Sequence, residues 1–150
     1  MDTSHWLVLL NAAVMFYSLG TIWFAQIVVY PLFEKVGAAE YVDYRRCYAH
    51  RIPLPVIAPG FASFLLPMLL VFVPPLTAPP WLVMLNGLCG LVGLLITLML
   101  EMPRHHELAD HGKQDRVIRE LIGFNWPRTL SISGSAVLSA LMLLTAFGPV

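Results

Sequence analysis

Four long apolar stretches dominate the chain, and short polar or proline-rich segments separate them. The stretches run from Trp6 to about Tyr30, from Pro53 to about Val73, from Trp81 to about Met102 and from Leu130 to about Phe147. Each approaches or exceeds the ~20 apolar residues that a helix needs to cross the hydrocarbon core of a bilayer. The pattern therefore predicts an all-α integral membrane protein, an antiparallel four-transmembrane-helix bundle forming a single domain over residues 1–150.

A second hydrophobic pattern follows the third stretch. Between Lys113 and Phe124, apolar residues recur at roughly helical spacing and alternate with charged residues. This pattern is typical of a short amphipathic helix that lies on a membrane surface or against the end of a bundle. The third loop is therefore predicted to carry such a helix on the cytoplasmic side. Pro127 suits the first turn of the last transmembrane helix, and Asn125 suits its cap.

Composition and charge support a membrane location and predict its orientation. Hydrophobic residues make up 58% of the chain and charged residues only 12%, so lipid must cover the excess apolar surface. All nine Lys and Arg residues lie in the first and third loops, 31–52 and 103–129. The positive-inside rule places these loops in the cytoplasm and both termini outside. A net charge of zero argues against a nucleic-acid partner.

The third stretch carries small and polar residues along one side of its predicted helix. Asn86, Gly90, Gly93, Thr97 and Glu101 follow one another at steps of three or four. Such a stripe either lets helices pack closely in lipid or lines a cavity, and the sequence leaves both open. Glu101 is the only acid within a predicted span, and burying an ionisable group in a membrane is costly. Glu101 is therefore a candidate functional residue.

Polar residues from several helices are predicted to lie at the depth of Glu101, near the cytoplasmic ends. His105 follows Glu101 by four residues, so it shares the same helix face if the helix continues past Pro103. A polar layer below an apolar cavity suits an amphipathic ligand with a polar head. The predicted layer consists of Gln26, Tyr30, His50, Glu101, His105, Asn125 and Arg128.

The catalytic candidates in this layer are His105, Glu101, Arg128 and Asn125. His105 would act as a general base with Glu101 as its partner, while Arg128 and Asn125 would hold an oxyanion. Each assignment has a structural alternative. In that alternative, the histidine hydrogen-bonds at the membrane interface, and Arg128 extends to lipid phosphate. The candidates for substrate binding are Gln26, Tyr30 and Trp126.

A metal site is a further hypothesis for the same layer. A carboxylate and an imidazole four residues apart can share a metal ion with a third imidazole from a neighbouring helix. A transition metal ion held by His50, Glu101 and His105 is therefore a candidate cofactor. A haem ligated by His50 and His105 is disfavoured, because both residues lie at one edge of the membrane.

Four short motifs carry a family resemblance. They are GTIWFAQIVVYPLF (Gly20–Phe33), His50 with Pro53 and Pro55, MPRHHEL (Met102–Leu108) and LIGFNWPRT (Leu121–Thr129). Over most of its length the chain resembles small four-span bacterial membrane proteins similar to the family that includes fungal anthrone oxygenases. Those enzymes oxidise a polycyclic phenolic ketone to a quinone. The resemblance implies site roles for Asn125, Arg128 and His105, whereas His106 departs from the pattern.

Two kinds of function follow from these patterns. The first is a small oxidoreductase of the oxygenase type, acting on a lipophilic aromatic or quinone-like substrate at the inner-leaflet side of the bundle, with or without a metal ion. The second is a non-enzymatic membrane component, either an accessory subunit or a carrier of a small solute or metal. Membrane lipid and a lipophilic small molecule are the expected partners in a bacterial inner membrane. A homo-oligomer stays open, because four spans are few for a transporter.

Overall fold

The computed structural model describes residues 2–148, and every regular element within them is helical. A long helix, α1 (Thr3–Lys35), is followed by the short helix α2 (Tyr41–Arg51). Three more helices complete the fold, namely α3 (Pro53–Phe72), α4 (Pro80–Asp110) and α5 (Asp115–Phe147). The predicted all-α class is confirmed for the described part of the chain.

Four of these helices, α1, α3, α4 and α5, are long and apolar enough to cross a membrane. They form a bundle in which α5 packs against α1 and α4, and α3 packs against the same two helices. Large apolar side chains such as Phe72, Met99 and Leu144 are exposed on the outside of this bundle. An extensive exposed apolar surface is a membrane or partner interface rather than a surface for water. The fold therefore supports the prediction of a multi-pass membrane protein.

Two of the long helices extend beyond the predicted spans because prolines do not end them. Helix α1 continues through Pro31 and helix α4 continues through Pro103. A π-helical turn lies just before each proline. These turns are Ala25–Val29 and Thr97–Glu101, and one residue separates each turn from its proline. In the first turn, the Tyr30 N–H bonds the carbonyl five residues back. The wider π-helical turn accommodates a proline, which has no N–H and would crowd the carbonyl four residues earlier in an α-helix.

A third π-helical turn, Pro53–Ile57, begins helix α3 and precedes Pro59 in the same way. Pro59 has no N–H to donate to the carbonyl of Pro55, four residues earlier. The hydroxyl of Tyr17 on α1 donates to that carbonyl instead, at 3.0 Å. The neighbouring Ser18 hydroxyl donates to the Pro59 carbonyl at 3.1 Å. Side chains of α1 thus satisfy backbone carbonyls at the start of α3, and this contact joins the two helices.

The segment before the last predicted span is part of α5 rather than a separate helix. The helix begins after Gln114 and runs without a break to Phe147, so Asn125 lies in its interior and the predicted cap there is wrong. The apolar residues Val117, Ile118 and Leu121 are fully buried in a core formed with α1, α2 and α4. Other helices therefore cover the apolar face of this segment. The sequence pattern alone fits a membrane surface equally well.

Small and polar residues hold together the half of the bundle that lies nearer the two chain termini. Asn11 donates to the Ser139 hydroxyl at 2.8 Å, which joins α1 to α5, and Ser135 donates to Asn86 to join α5 to α4. Gly90 provides a close approach between α4 and α3. A Cβ atom added there would lie 2.6 Å from the backbone oxygen of Phe64. The upper part of the polar stripe on α4 thus serves helix packing.

Candidate functional site

A cavity of about 350 Å³ lies between the helices at the level of the π-helical turns. All three turns contribute to its lining, as do α2 and α5. Its upper wall is apolar and includes Ile22, Ile57, Phe61, Phe64 and Ile132. Its polar side chains include Tyr30, Arg45, Glu101, His105 and Arg128, which form what we call the polar floor. An apolar wall above a few convergent polar groups is the usual form of a small-molecule site.

Glu101 is the centre of the polar floor. Its side chain is 1% exposed, and its Oε2 atom lies 4.0 Å from His105 Nε2 and 4.0 Å from Arg128 Nη1. The Tyr30 hydroxyl is 3.5 Å from the same oxygen and accepts from Arg128 Nη2 at 3.2 Å. The other carboxylate oxygen, Oε1, is buried and has no hydrogen-bond partner among the described residues. The lower part of the α4 stripe therefore lines a cavity, with one carboxylate oxygen left unpaired.

Arg45 is a member of the polar floor that the sequence pattern did not identify. It is 7% exposed, and its guanidinium stacks over the rings of Phe33 and Tyr48 at 5.0 and 5.4 Å. Its Nη2 atom lies 3.2 Å from His105 Nδ1. Tyr41, Arg45 and Tyr48 follow at steps of four and three, which is one face of a helix. This pattern, in which two aromatic residues flank one arginine on the same helix face, could have identified Arg45 from the sequence.

The contact with Arg45 determines how His105 is protonated. A guanidinium is only a donor, so Nδ1 of His105 must accept this hydrogen bond with its lone pair. The ring proton then resides on Nε2, which lies 3.4 Å from the Tyr30 hydroxyl and 4.0 Å from Glu101. His105 is thus a neutral ring that presents an N–H to the carboxylate. In this arrangement its basic nitrogen is already occupied.

Asn125 and Gln26 form a separate buried pair. Asn125 Nδ2 donates to Gln26 Oε1 at 2.6 Å, and Gln26 Nε2 donates to the Ile122 carbonyl at 3.2 Å. Neither residue lines the cavity. The structure brings the two predicted site residues together, but it places them between α1 and α5 and apart from the polar floor. Their contacts are those of a helix-packing pair.

Trp126 and His50 also lie away from the polar floor. Trp126 is 43% exposed on the bundle surface and packs edge-on against Trp23, with ring centroids 5.8 Å apart. His50 is exposed, whereas its neighbours Tyr48 and Ala49 line the cavity. Each residue turns the helix by about 100°, which carries His50 past the cavity-facing side. Within residues 2–148, no three His, Cys, Asp or Glu side chains form a group suited to a metal ion.

Tyr48 of α2 is a further polar side chain that lines the cavity. Burial raises the pKa of its phenol well above the usual value, and the nearby Tyr30 acts in the same direction. The hydroxyl therefore stays protonated over the physiological pH range and is able to donate a hydrogen bond to a ligand.

These features define a class: a small multi-pass helical membrane protein with a buried, charged cavity of ligand size. Comparison with protein families, curated proteins and solved structures found no match for this chain. The resemblance to anthrone-oxygenase-like proteins therefore stays a prediction, and a more specific function has to be argued from the cavity itself.

Proposed function

We propose that the protein is a membrane enzyme that removes a proton from a lipophilic phenol or enolisable aromatic ketone and holds the resulting oxyanion. One observation carries the proposal. A buried carboxylate with an unpaired oxygen, Glu101, lies beside an arginine and a tyrosine hydroxyl at the foot of an apolar cavity. A base next to preorganised cationic and hydroxyl donors is the arrangement that such a reaction needs.

The contacts favour Glu101 as the base and change the role predicted for His105. The Nδ1 atom of His105 accepts from Arg45, so the ring is left with an N–H donor. Glu101 Oε1 has no such commitment among the described residues. It would accept the proton, while the electron pair moves to the ligand oxygen. Arg128 and Tyr30 would hold that oxygen, and His105 would act as a positioning residue for Glu101.

Oxidation to a quinone would follow the removal of the proton. The resemblance to anthrone oxygenases suggests dioxygen as the oxidant. In the balanced reaction, the ring methylene and O2 give a ring carbonyl and one molecule of water. The four electrons lost by the methylene carbon reduce dioxygen, with one oxygen atom retained and the other released as water. The apolar cavity suits a planar aromatic ring system of this kind.

The membrane arrangement belongs to the same proposal. The four long helices would cross the bacterial inner membrane as an antiparallel bundle, with both termini outside. The confinement of all nine Lys and Arg residues to 31–52 and 103–129 supports this orientation. The polar floor would then lie at the inner-leaflet side, and the ligand would reach it from the lipid.

The direct test is the oxidation of anthrone by the purified protein in lipid nanodiscs. We expect dioxygen-dependent formation of anthraquinone, and a fall of about a hundredfold or more in Glu101→Gln, the range for loss of a general base. Arg128→Met should also lose most of the activity. Glu107→Gln and Arg119→Met change residues on the same two helices that do not line the cavity, so both variants should retain the activity. Glu107 is half-buried and pairs with Arg116 at 3.4 Å, and Arg119 is exposed. Full activity in Glu101→Gln would exclude the proposed mechanism.

A further inference from the structure

The charges that line the cavity do not balance. Arg45 and Arg128 each contribute a guanidinium, whereas Glu101 contributes the one carboxylate of the lining. His105 is neutral in this arrangement because its Nδ1 accepts from Arg45. The cavity therefore carries an excess positive charge in apolar surroundings.

Arg45 is the source of this excess. Among residues 2–148, no carboxylate lies within 4.0 Å of its guanidinium nitrogens, whereas Arg128 has Glu101 at that distance. Its Nε and Nη1 atoms are buried and have no hydrogen-bond partner in the described chain. A buried charge is costly unless a counter-charge and hydrogen bonds compensate for it. Arg45 thus presents two free donors with no anion to receive them.

We propose that the cavity binds a lipophilic monoanion whose carboxylate contacts Arg45. This group is distinct from the reacting oxygen, which Arg128 and Tyr30 would hold, and in that respect the inference rests on the proposed function. The rings of Phe33 and Tyr48 hold the guanidinium plane, and its unpaired N–H groups can donate charge-assisted hydrogen bonds to a carboxylate. Phe61 and Phe64 on the opposite wall suit an aromatic ligand body.

The test compares two fluorescent probes of nearly equal shape, 9-anthracenecarboxylate and the neutral 9-anthracenemethanol. Binding is measured by fluorescence anisotropy with the protein in nanodiscs of zwitterionic phosphatidylcholine. We expect wild type to bind the carboxylate about tenfold more tightly than the alcohol, the scale of a charged hydrogen bond. Arg45→Met should abolish this preference. Arg45→Lys should retain part of it, because the charge remains while the planar guanidinium and its directed donors are lost.

Arg46→Met is the matched control, since Arg46 is the next residue on α2, is exposed and pairs with Asp43 at 3.1 Å. It should bind both probes as wild type does. Equal affinity of wild type for the two probes would overturn the inference, whether or not the Arg45 variants fold. A carboxylate preference that survives in folded Arg45→Met would also overturn it. Competition by oleate would show that an alkyl carboxylate shares the site, and failure of oleate would restrict the site to aromatic carboxylates.

The outcomes separate this inference from the proposed function. Carboxylate preference without anthrone oxidation would leave the anion site standing and remove the enzymatic proposal. Anthrone oxidation that depends on Glu101, with no carboxylate preference, would support the enzymatic proposal and remove the anion site.

Discussion

At the residue scale, two neighbouring arginines of α2 show how position decides chemistry. Arg45 is 7% exposed and contacts the His105 ring, whereas Arg46 is exposed and pairs with Asp43. Arg45 determines the tautomer of the His105 ring in the cavity, because a guanidinium cannot accept a hydrogen bond. The tautomer of His105 is therefore the residue-scale property that most clearly reflects the arrangement of the polar floor.

Nitrogen-15 NMR of His105 would measure that tautomer directly. We expect the wild-type ring to be neutral, with its proton on Nε2, because Arg45 occupies Nδ1. Arg45→Met should shift the ring toward a mixture of tautomers, while Arg46→Met should leave it unchanged. A wild-type ring that carries its proton on Nδ1 would contradict the arrangement described here.

The sequence predicts part of this site, and the rest depends on contacts between distant segments. Glu101 stands out because an acid inside an apolar span is costly, and His105 follows from the helical repeat. Arg45 does not stand out, since a cation in a loop between two spans usually faces water or lipid phosphate. The sequence places His50 and Asn125 at the depth of the site, and the family resemblance adds a site role for Asn125. Their side chains turn away from the cavity, because depth does not determine the angle around a helix.

At the element scale, the π-helical turns determine which direction around the helix axis the cavity-lining side chains face. Three of them precede Pro31, Pro59 and Pro103, and all three border the cavity. An extra residue in a turn rotates the following segment by about 100° relative to a regular α-helix. The sequence predicts where each proline disturbs its helix, but it does not distinguish a π-helical turn from a kink or an end.

Replacement of Pro103 by Ala should allow the turn before it to return to a regular α-helix. The new N–H restores the missing donor, and the segment with His105 rotates relative to Glu101. We expect binding of 9-anthracenecarboxylate to weaken by about tenfold, with helix content unchanged, since contacts to charged groups are lost. Pro127→Ala, in a helix without a π-helical turn, should bind as wild type does. Wild-type binding by Pro103→Ala would show that the turn has no part in building the site.

Close packing between α3 and α4 gives a second element-scale prediction. Gly90→Ala places a methyl group 2.6 Å from the backbone oxygen of Phe64, so the helices must separate. We expect destabilisation of about 1–3 kcal/mol, the range for overpacking, seen as a lower thermal unfolding temperature in detergent. Gly20→Ala on α1 meets open space and should be neutral or slightly stabilising. A Gly90→Ala variant as stable as wild type would contradict the close approach.

At the scale of the whole molecule, four long apolar helices and an extensive exposed apolar surface indicate a multi-pass membrane protein. The number and approximate position of the long helices were predictable, because length and hydropathy decide them. The continuity of α5 was not predictable, since an amphipathic segment fits a membrane surface and a protein core equally well. Its burial against α1 and α2 is decided only when the helices assemble.

The native cysteines offer a test of the proposed orientation. Cys47 is exposed on α2, which the charge distribution assigns to the cytoplasm. In a Cys89→Ser background, a membrane-impermeant maleimide should label Cys47 only after the cells are opened. Leu76→Cys, in the exposed second loop of a Cys47→Ser, Cys89→Ser chain, should be labelled in intact cells. The reverse pattern would invert the proposed topology.

Proton removal by Glu101 is the central claim, and hydrogen exchange tests it most directly. Anthrone is incubated under nitrogen in D2O with the protein in nanodiscs, and loss of its methylene protons is followed by NMR. Because no oxidant is present, only proton removal is measured. Wild type and Glu107→Gln should both exchange these protons faster than buffer and empty nanodiscs do, and Glu101→Gln should fall to that background. Exchange in Glu101→Gln at the wild-type rate, or none above background in wild type, would contradict the account.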